Sequence, residues 1–171
     1  WLIRSPLWIY CAYVGVRQLM NPTYQSLFSW LNIHLHQIGH WLFESAGGEL
    51  AVAGGAIFQL AVPMAALITL IYQRKYFATA FHLGWLSTSL MSVGAYMGDA
   101  RHKVLSALLA GDDVKEGVHD WQFLFGKMGV ITSSEKIGGF ICALGHFAMF
   151  LSLLGGGFLL WQMFSLSRMK K

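Results

Sequence analysis

Long apolar runs broken by short polar or Gly/Pro stretches pattern the chain, and the breaks predict where helices start and stop. Ser5-Pro6 reads as an N-cap followed by proline at the first helical position, opening an apolar helix over residues 7 to about 20. Asn21-Pro22 repeats that signal and predicts a second helix, running through His36 and His40 to about residue 44, where Gly47-Gly48 stops it. A third helix is expected from 49 to about 72, with Pro63 inside it and Gln73-Arg74-Lys75 at its end. The fourth covers 76 to 98 and carries Gly94-Ala95-Tyr96-Met97-Gly98, a small-x-x-x-small face suited to close helix contact. Residues 99 to 136 are the one long polar segment, in which 102 to 110 suits a short amphipathic helix closed by Gly111. Ser133-Ser134-Glu135 then starts a last helix, from about 137 to 164, and Arg168, Lys170 and Lys171 follow it.

Composition sets the solvent for these helices. Of 171 residues 56% are hydrophobic and only 12% charged, and the mean hydropathy is +0.52, which is not the make-up of an ordinary soluble domain. Apolar windows of about 20 residues recur, enough to cross a hydrocarbon layer of roughly 30 Å. The fold class expected is therefore all-α: a polytopic transmembrane bundle of about four to five membrane helices, one domain over residues 1–171, with a polar loop at 99–136. The first helix is short for a span and would tilt or lie in the interface. Seven Trp, six Tyr and twelve Phe suit interfacial belts and helix packing. Cys11 and Cys142 both lie in apolar stretches, so no disulfide framework is expected.

The net charge of +4 comes from cations placed beside apolar windows. That is how membrane anchors are distributed, so lipid and membrane proteins are the expected partners and nucleic acid is not. Counting crossings puts Arg74-Lys75 and the C-terminal cations on one side, cytoplasmic under the positive-inside rule, in a bacterial-type inner membrane. His36, His40, Asp99 and His119 then all approach the opposite face.

Candidate chemistry centres on His36-Gln37-Ile38-Gly39-His40, the zincin pattern H-E-x-x-H with one letter changed. Histidines at i and i+4 stack on one helix face and can share a metal ion, although in an apolar helix such a pair can also be hydrogen-bonded core. The Glu of that pattern takes a proton from metal-bound water, and the neutral amide of Gln37 cannot. Gly54-Gly55-Ala56-Ile57-Phe58-Gln59 places two glycines and an amide inside a span, either a packing seam or a substrate-facing element. Asp99 ends the fourth helix, as a solvated cap or a ligand.

These residues resemble the site-2 protease-like family of intramembrane zinc metalloproteases, over roughly residues 21 to 101. His36 and His40 match the family's metal helix, Gly55-Ala56-Ile57-Phe58-Gln59 loosely matches its G-x-x-x-(small or amide) motif, and Asp99 matches the later Asp. The resemblance implies Zn²⁺ held by His36, His40 and Asp99, with transmembrane proteins as substrates. It departs at Gln37, in the place of the catalytic Glu, and at Asp99, which lacks the usual Leu-Asp-Gly setting. Loss of a general base costs about 10²- to 10⁴-fold, so the implied enzyme is nearly silent as written and active only if the Glu is restored. His119 is a further candidate, as a ligand or as a donor to the transition state beside Asp120. Glu44 lies a turn beyond His40 and is poorly placed to replace the base, while Asp120 could do so only if its loop folded over the metal. Two other readings remain open: a non-catalytic subunit of a larger membrane complex, and a haem-carrying electron-transfer protein using His82, His146 or His40.

Overall fold

The computed structural model describes residues 1–21, 24–102 and 119–169, and among them there are helices and no strands. The order is α1 (Ser5–Met20), α2 (Leu27–Phe43), α3 (Gly48–Tyr72), α4 (Tyr76–Asp99), α5 (Asp120–Lys127) and α6 (Ser134–Met169). Tight 3₁₀ turns at Glu44–Ala46 and Ile131–Ser133 lead into α3 and α6. The amphipathic helix expected over 102 to 110 falls, apart from His102, outside the described residues.

The second helix starts later than Asn21-Pro22 suggests. Asn21 closes α1 instead, its backbone N–H donating to the Arg17 carbonyl at 2.8 Å. The start of α2 is set by Ser26, whose hydroxyl accepts from the Ser29 N–H at 3.2 Å while the Ser29 hydroxyl accepts from the Ser26 N–H at 3.1 Å. This reciprocal cap satisfies two backbone donors that the first turn leaves over. Before it the chain turns back along α1, with Tyr24 edge-on to Tyr13 and the Leu27 N–H donating to the Tyr10 hydroxyl at 3.0 Å.

Helix α4 is central, touching α1, α2, α3 and α6. Its contact with α6 is close because glycines meet there: a Cβ on Gly94 would lie 2.8 Å from the Cys142 nitrogen and the Gly138 carbonyl oxygen. The small-x-x-x-small face read from the sequence is thus a seam between α4 and α6. Helix α2 is tied to α4 by buried Asn32. Its Oδ1 accepts from Trp85 Nε1 and from Ser89 Oγ, each at 2.9 Å, and its Nδ2 donates to Thr88 Oγ1 at 3.2 Å. A buried amide with its partners in place resists sliding of α2 along α4, because any shift leaves several polar groups unpaired at once.

Two helical stretches are long and apolar enough to cross a membrane, Gly48–Tyr72 and Ile131–Met169. A core helix of a water-soluble protein would bury its apolar window, but these bury only 28% and 22% of theirs within the chain. Phe140, Phe147, Phe150, Phe158 and Trp161 of α6 are all exposed. So much uncovered apolar surface points to membrane association. Arg4 reaches both Met163, at 2.9 Å, and the Phe77 ring, at 5.6 Å, so the start of α4 and the end of α6 share one end of the bundle. Both cysteines are free, as their apolar settings suggest.

Candidate metal centre

His36 and His40 stand one turn apart on α2, and the crossing of α2 with α3 brings them over glycine. A Cβ on Gly55 would lie 2.6 Å from His40 Nε2, 2.7 Å from His36 Cε1 and 2.8 Å from His36 Nε2. One turn along α2, Gly39 itself meets the Gly54 carbonyl, so the helices approach backbone to backbone at this level. The amide-bearing motif on α3 therefore serves first to let two imidazoles in. Gln59, four residues beyond Gly55, is buried.

His40 Nδ1 lies 3.1 Å from the Ala51 carbonyl oxygen. A carbonyl only accepts, so Nδ1 carries the hydrogen and a neutral His40 presents the lone pair of Nε2. A backbone carbonyl behind the imidazole is a common second partner of a metal-ligating histidine.

The third group comes from α5. Lys127 at its end pairs with Glu49 at the start of α3, and Leu124 and Phe125 are buried beneath it, so the short helix is held against α3. At its other end His119 is the N-cap, Nδ1 accepting from the Gln122 N–H at 3.3 Å. Asp120, the next residue, then projects to the imidazoles: its Oδ2 lies 3.1 Å from both His36 Nε2 and His40 Nε2, which are 3.0 Å from each other.

Hydrogen bonding alone does not account for this triangle. Burial raises the Asp120 carboxyl, but hydrogen bonds from His36 and His40 and their charges outweigh it and pull the pKa down to about 2, so Asp120 is ionised at neutral pH. An ionised oxygen has no proton, so both nitrogens must donate to it, and then two N–H groups face each other 3.0 Å apart. If one nitrogen instead keeps its lone pair, that lone pair faces the carboxylate. At least one side of the triangle is repulsive in either case. A cation accepting all three lone pairs removes the conflict. Ligand atoms about 2.0–2.2 Å from tetrahedral zinc lie roughly 3.3 Å apart, and the observed 3.0–3.1 Å is within a few tenths of that. The side chains of His36, His40 and Asp120 remain 18%, 31% and 16% exposed, so the group is open to a ligand from outside.

The structure thus brings His36 and His40 together with Asp120, and it brings Asp99 to His119. Asp99, the last residue of α4, has Oδ2 3.8 Å from His119 Nε2. His119 is 1% exposed and stacks on Tyr96 with ring centroids 4.1 Å apart, while the Tyr96 ring meets His36 edge-on at 6.0 Å. Gln37 is exposed on α2, and Glu44 is exposed in the following turn. His82 packs edge-on against Phe81 and Trp85, and its Nδ1 lies 2.9 Å from the Ala78 carbonyl; His146 Nδ1 lies 2.9 Å from that of Cys142. Asp120 is the residue that reading in one dimension did not put among the ligands. Its signal is a His-Asp-Trp triplet leading into the apolar Phe123-Leu124-Phe125 inside an otherwise polar segment, which marks a stretch that docks.

No family model matches the chain, and no curated protein and no solved structure matches it either.

Proposed function

We propose that this chain is a membrane-embedded zinc protein of metalloprotease design, with the ion held by His36, His40 and Asp120 and with hydrolysis nearly silent at Gln37. What supports the metal most is the His-His-Asp triangle, which hydrogen bonding with an ionised carboxylate leaves in conflict. Three protein ligands would leave a fourth position for water or a carbonyl, the arrangement of catalytic zinc. An ion held by His36, His40 and Asp120 would supply Lewis-acid polarisation of a peptide carbonyl. The chain's own residues do the rest: Gly55 leaves room for the imidazoles, Ala51 fixes the His40 tautomer, and Gln37 can donate or accept a hydrogen bond but cannot take up a proton. The reading includes a polytopic bundle of four to five membrane helices, counting α2 and α4 with α3 and α6, and transmembrane proteins as substrates or partners.

Metal analysis of the purified full chain tests the first half. One zinc per chain is expected, lost in Asp120→Ala and kept in Asp99→Asn; a wild-type protein free of zinc after equilibration with it would sink the reading. Gln37→Glu tests the second half, with cleavage of a membrane-embedded substrate rising by about 10²- to 10⁴-fold. A second reading, a non-catalytic subunit of a membrane complex, is favoured by the exposed aromatic face of α6. Zinc bound without cleavage in Gln37→Glu, together with co-purification in fixed stoichiometry, would select it.

A further inference from the structure

The pair formed by Asp99 and His119 lies behind the triangle and has no place in it, yet His119 is the largest fully buried side chain among the described residues, at 1% exposure. Its two ring nitrogens face different elements. Nδ1 accepts the Gln122 N–H of α5, so in the neutral ring Nε2 carries the hydrogen, and Nε2 faces the Asp99 carboxylate at the end of α4. At 3.8 Å that contact is longer than a direct hydrogen bond, so the Asp99 carboxylate acts as a negative charge facing the Nε2–H dipole. The ring face rests on Tyr96, one turn before Asp99 on the same helix. So the cap residue of α5 rests on α4 by its ring face, with Asp99 facing Nε2, while Nδ1 caps α5.

That anchorage bears on the triangle because Asp120 is bonded directly to His119. An eight-residue helix is marginal without tertiary support: buried Leu124 and Phe125 and the exposed Lys127–Glu49 pair hold its far half, while at its start, beside Asp120, it is held by His119. An exposed pair of that kind contributes little. The direction in which Asp120 leaves α5 is therefore set at His119.

We propose that Asp99 and His119 are positioning residues: through the α5 cap they hold the Asp120 carboxylate against His36 and His40 before a cation arrives. This rests on the zinc reading for its functional consequence, though the placement of α5 does not. Groups that orient a ligand without touching the metal typically contribute 10- to 100-fold to metal affinity.

The test uses the full chain in detergent, wild type beside His119→Ala, Asp99→Asn and Asp120→Ala, with Co²⁺ as the probe and hydrogen exchange of residues 121–127 measured in the metal-free protein. His119→Ala is expected to bind Co²⁺ about 10- to 100-fold more weakly and, at saturation, to return the wild-type d–d spectrum, because all three ligands remain. Asp120→Ala should differ in the spectrum itself. Exchange of 121–127 should quicken in His119→Ala, and Asp99→Asn, nearly the same shape, should shift affinity and exchange in the same direction by less. A changed spectrum at saturation in His119→Ala would make His119 a ligand and overturn the positioning role. Unchanged affinity and exchange in both variants would overturn it as well. If wild type binds no Co²⁺ while the variants still free 121–127, the zinc reading fails and the anchoring of α5 stands.

Discussion

Gly55→Ala alters no ligand, no charge and no hydrogen bond, so it isolates the demand for space under the imidazoles. The added Cβ would lie 2.6 Å from His40 Nε2 and 2.8 Å from His36 Nε2. Ordinary carbon–nitrogen contact needs roughly 3.5 Å, so the rings must retreat by about 0.7–0.9 Å or the α2–α3 crossing must open. Metal–ligand distances tolerate about 0.2 Å, and one ligand is lost by such a shift. Structural zinc sites with four ligands bind with about 10–16 kcal/mol, roughly 3 kcal/mol per ligand, which is about two decades in affinity. The assay is competition with a chelator of known affinity, run on the full chain in detergent beside Gly139→Ala. Gly139 has open space around its Cβ position, so that change should leave zinc binding alone and stabilise α6 slightly. Thermal unfolding of metal-free Gly55→Ala should stay close to wild type, because the clash is with the ends of two side chains and not with backbone. Zinc binding by Gly55→Ala within a factor of three of wild type would refute the reasoning, since the imidazoles would then not need the position they occupy over α3.

Asn32→Leu removes the acceptor of Trp85 Nε1 and leaves Ser89 Oγ only the Trp85 carbonyl at 3.5 Å; a loss of about 1–3 kcal/mol for the unsatisfied indole N–H should appear as a lower unfolding midpoint in denaturant titration. Gly94→Ala puts a methyl 2.8 Å from backbone of α6, which cannot retreat as a side chain can, and overpacking of this kind costs about 1–3 kcal/mol, read as a lower thermal midpoint with zinc stoichiometry intact. Zinc affinity should fall between pH 7 and pH 5, because protons compete with the metal for the imidazole lone pairs, by as much as about tenfold per imidazole per pH unit. Asp120, with its pKa depressed to about 2, takes no part in that window. Its own contribution to stability is present above the ordinary carboxylate value near 4 and is lost only as pH falls toward 2. Isothermal titration between pH 7 and pH 5 separates the two, and a flat affinity over that range would remove the histidines from the site.

What the chain states locally, it states well. The facing of His36 and His40 follows from helical periodicity alone, and α3, α4 and α6 follow from apolar runs closed by Arg74-Lys75 and Gly98-Asp99 or opened by Ser134-Glu135, because helix formation and termination depend on residues within a turn or two. The start of α2 is ambiguous in sequence because Asn21-Pro22 and Ser26 are both good caps, and the choice between them depends on Tyr24 and Leu27 meeting α1. Which carboxylate meets the imidazoles was beyond local reading. Asp99 and Asp120 are both acids beside an apolar stretch, and each is separated from His36 by more than sixty residues of chain. Only the docking of α5 on α3, with His119 buried against Tyr96, turns Asp120 inward and leaves Asp99 one residue behind it. Contacts between distant segments are chosen by the packing of the whole bundle, and no short window of sequence contains the competing surfaces that decide it.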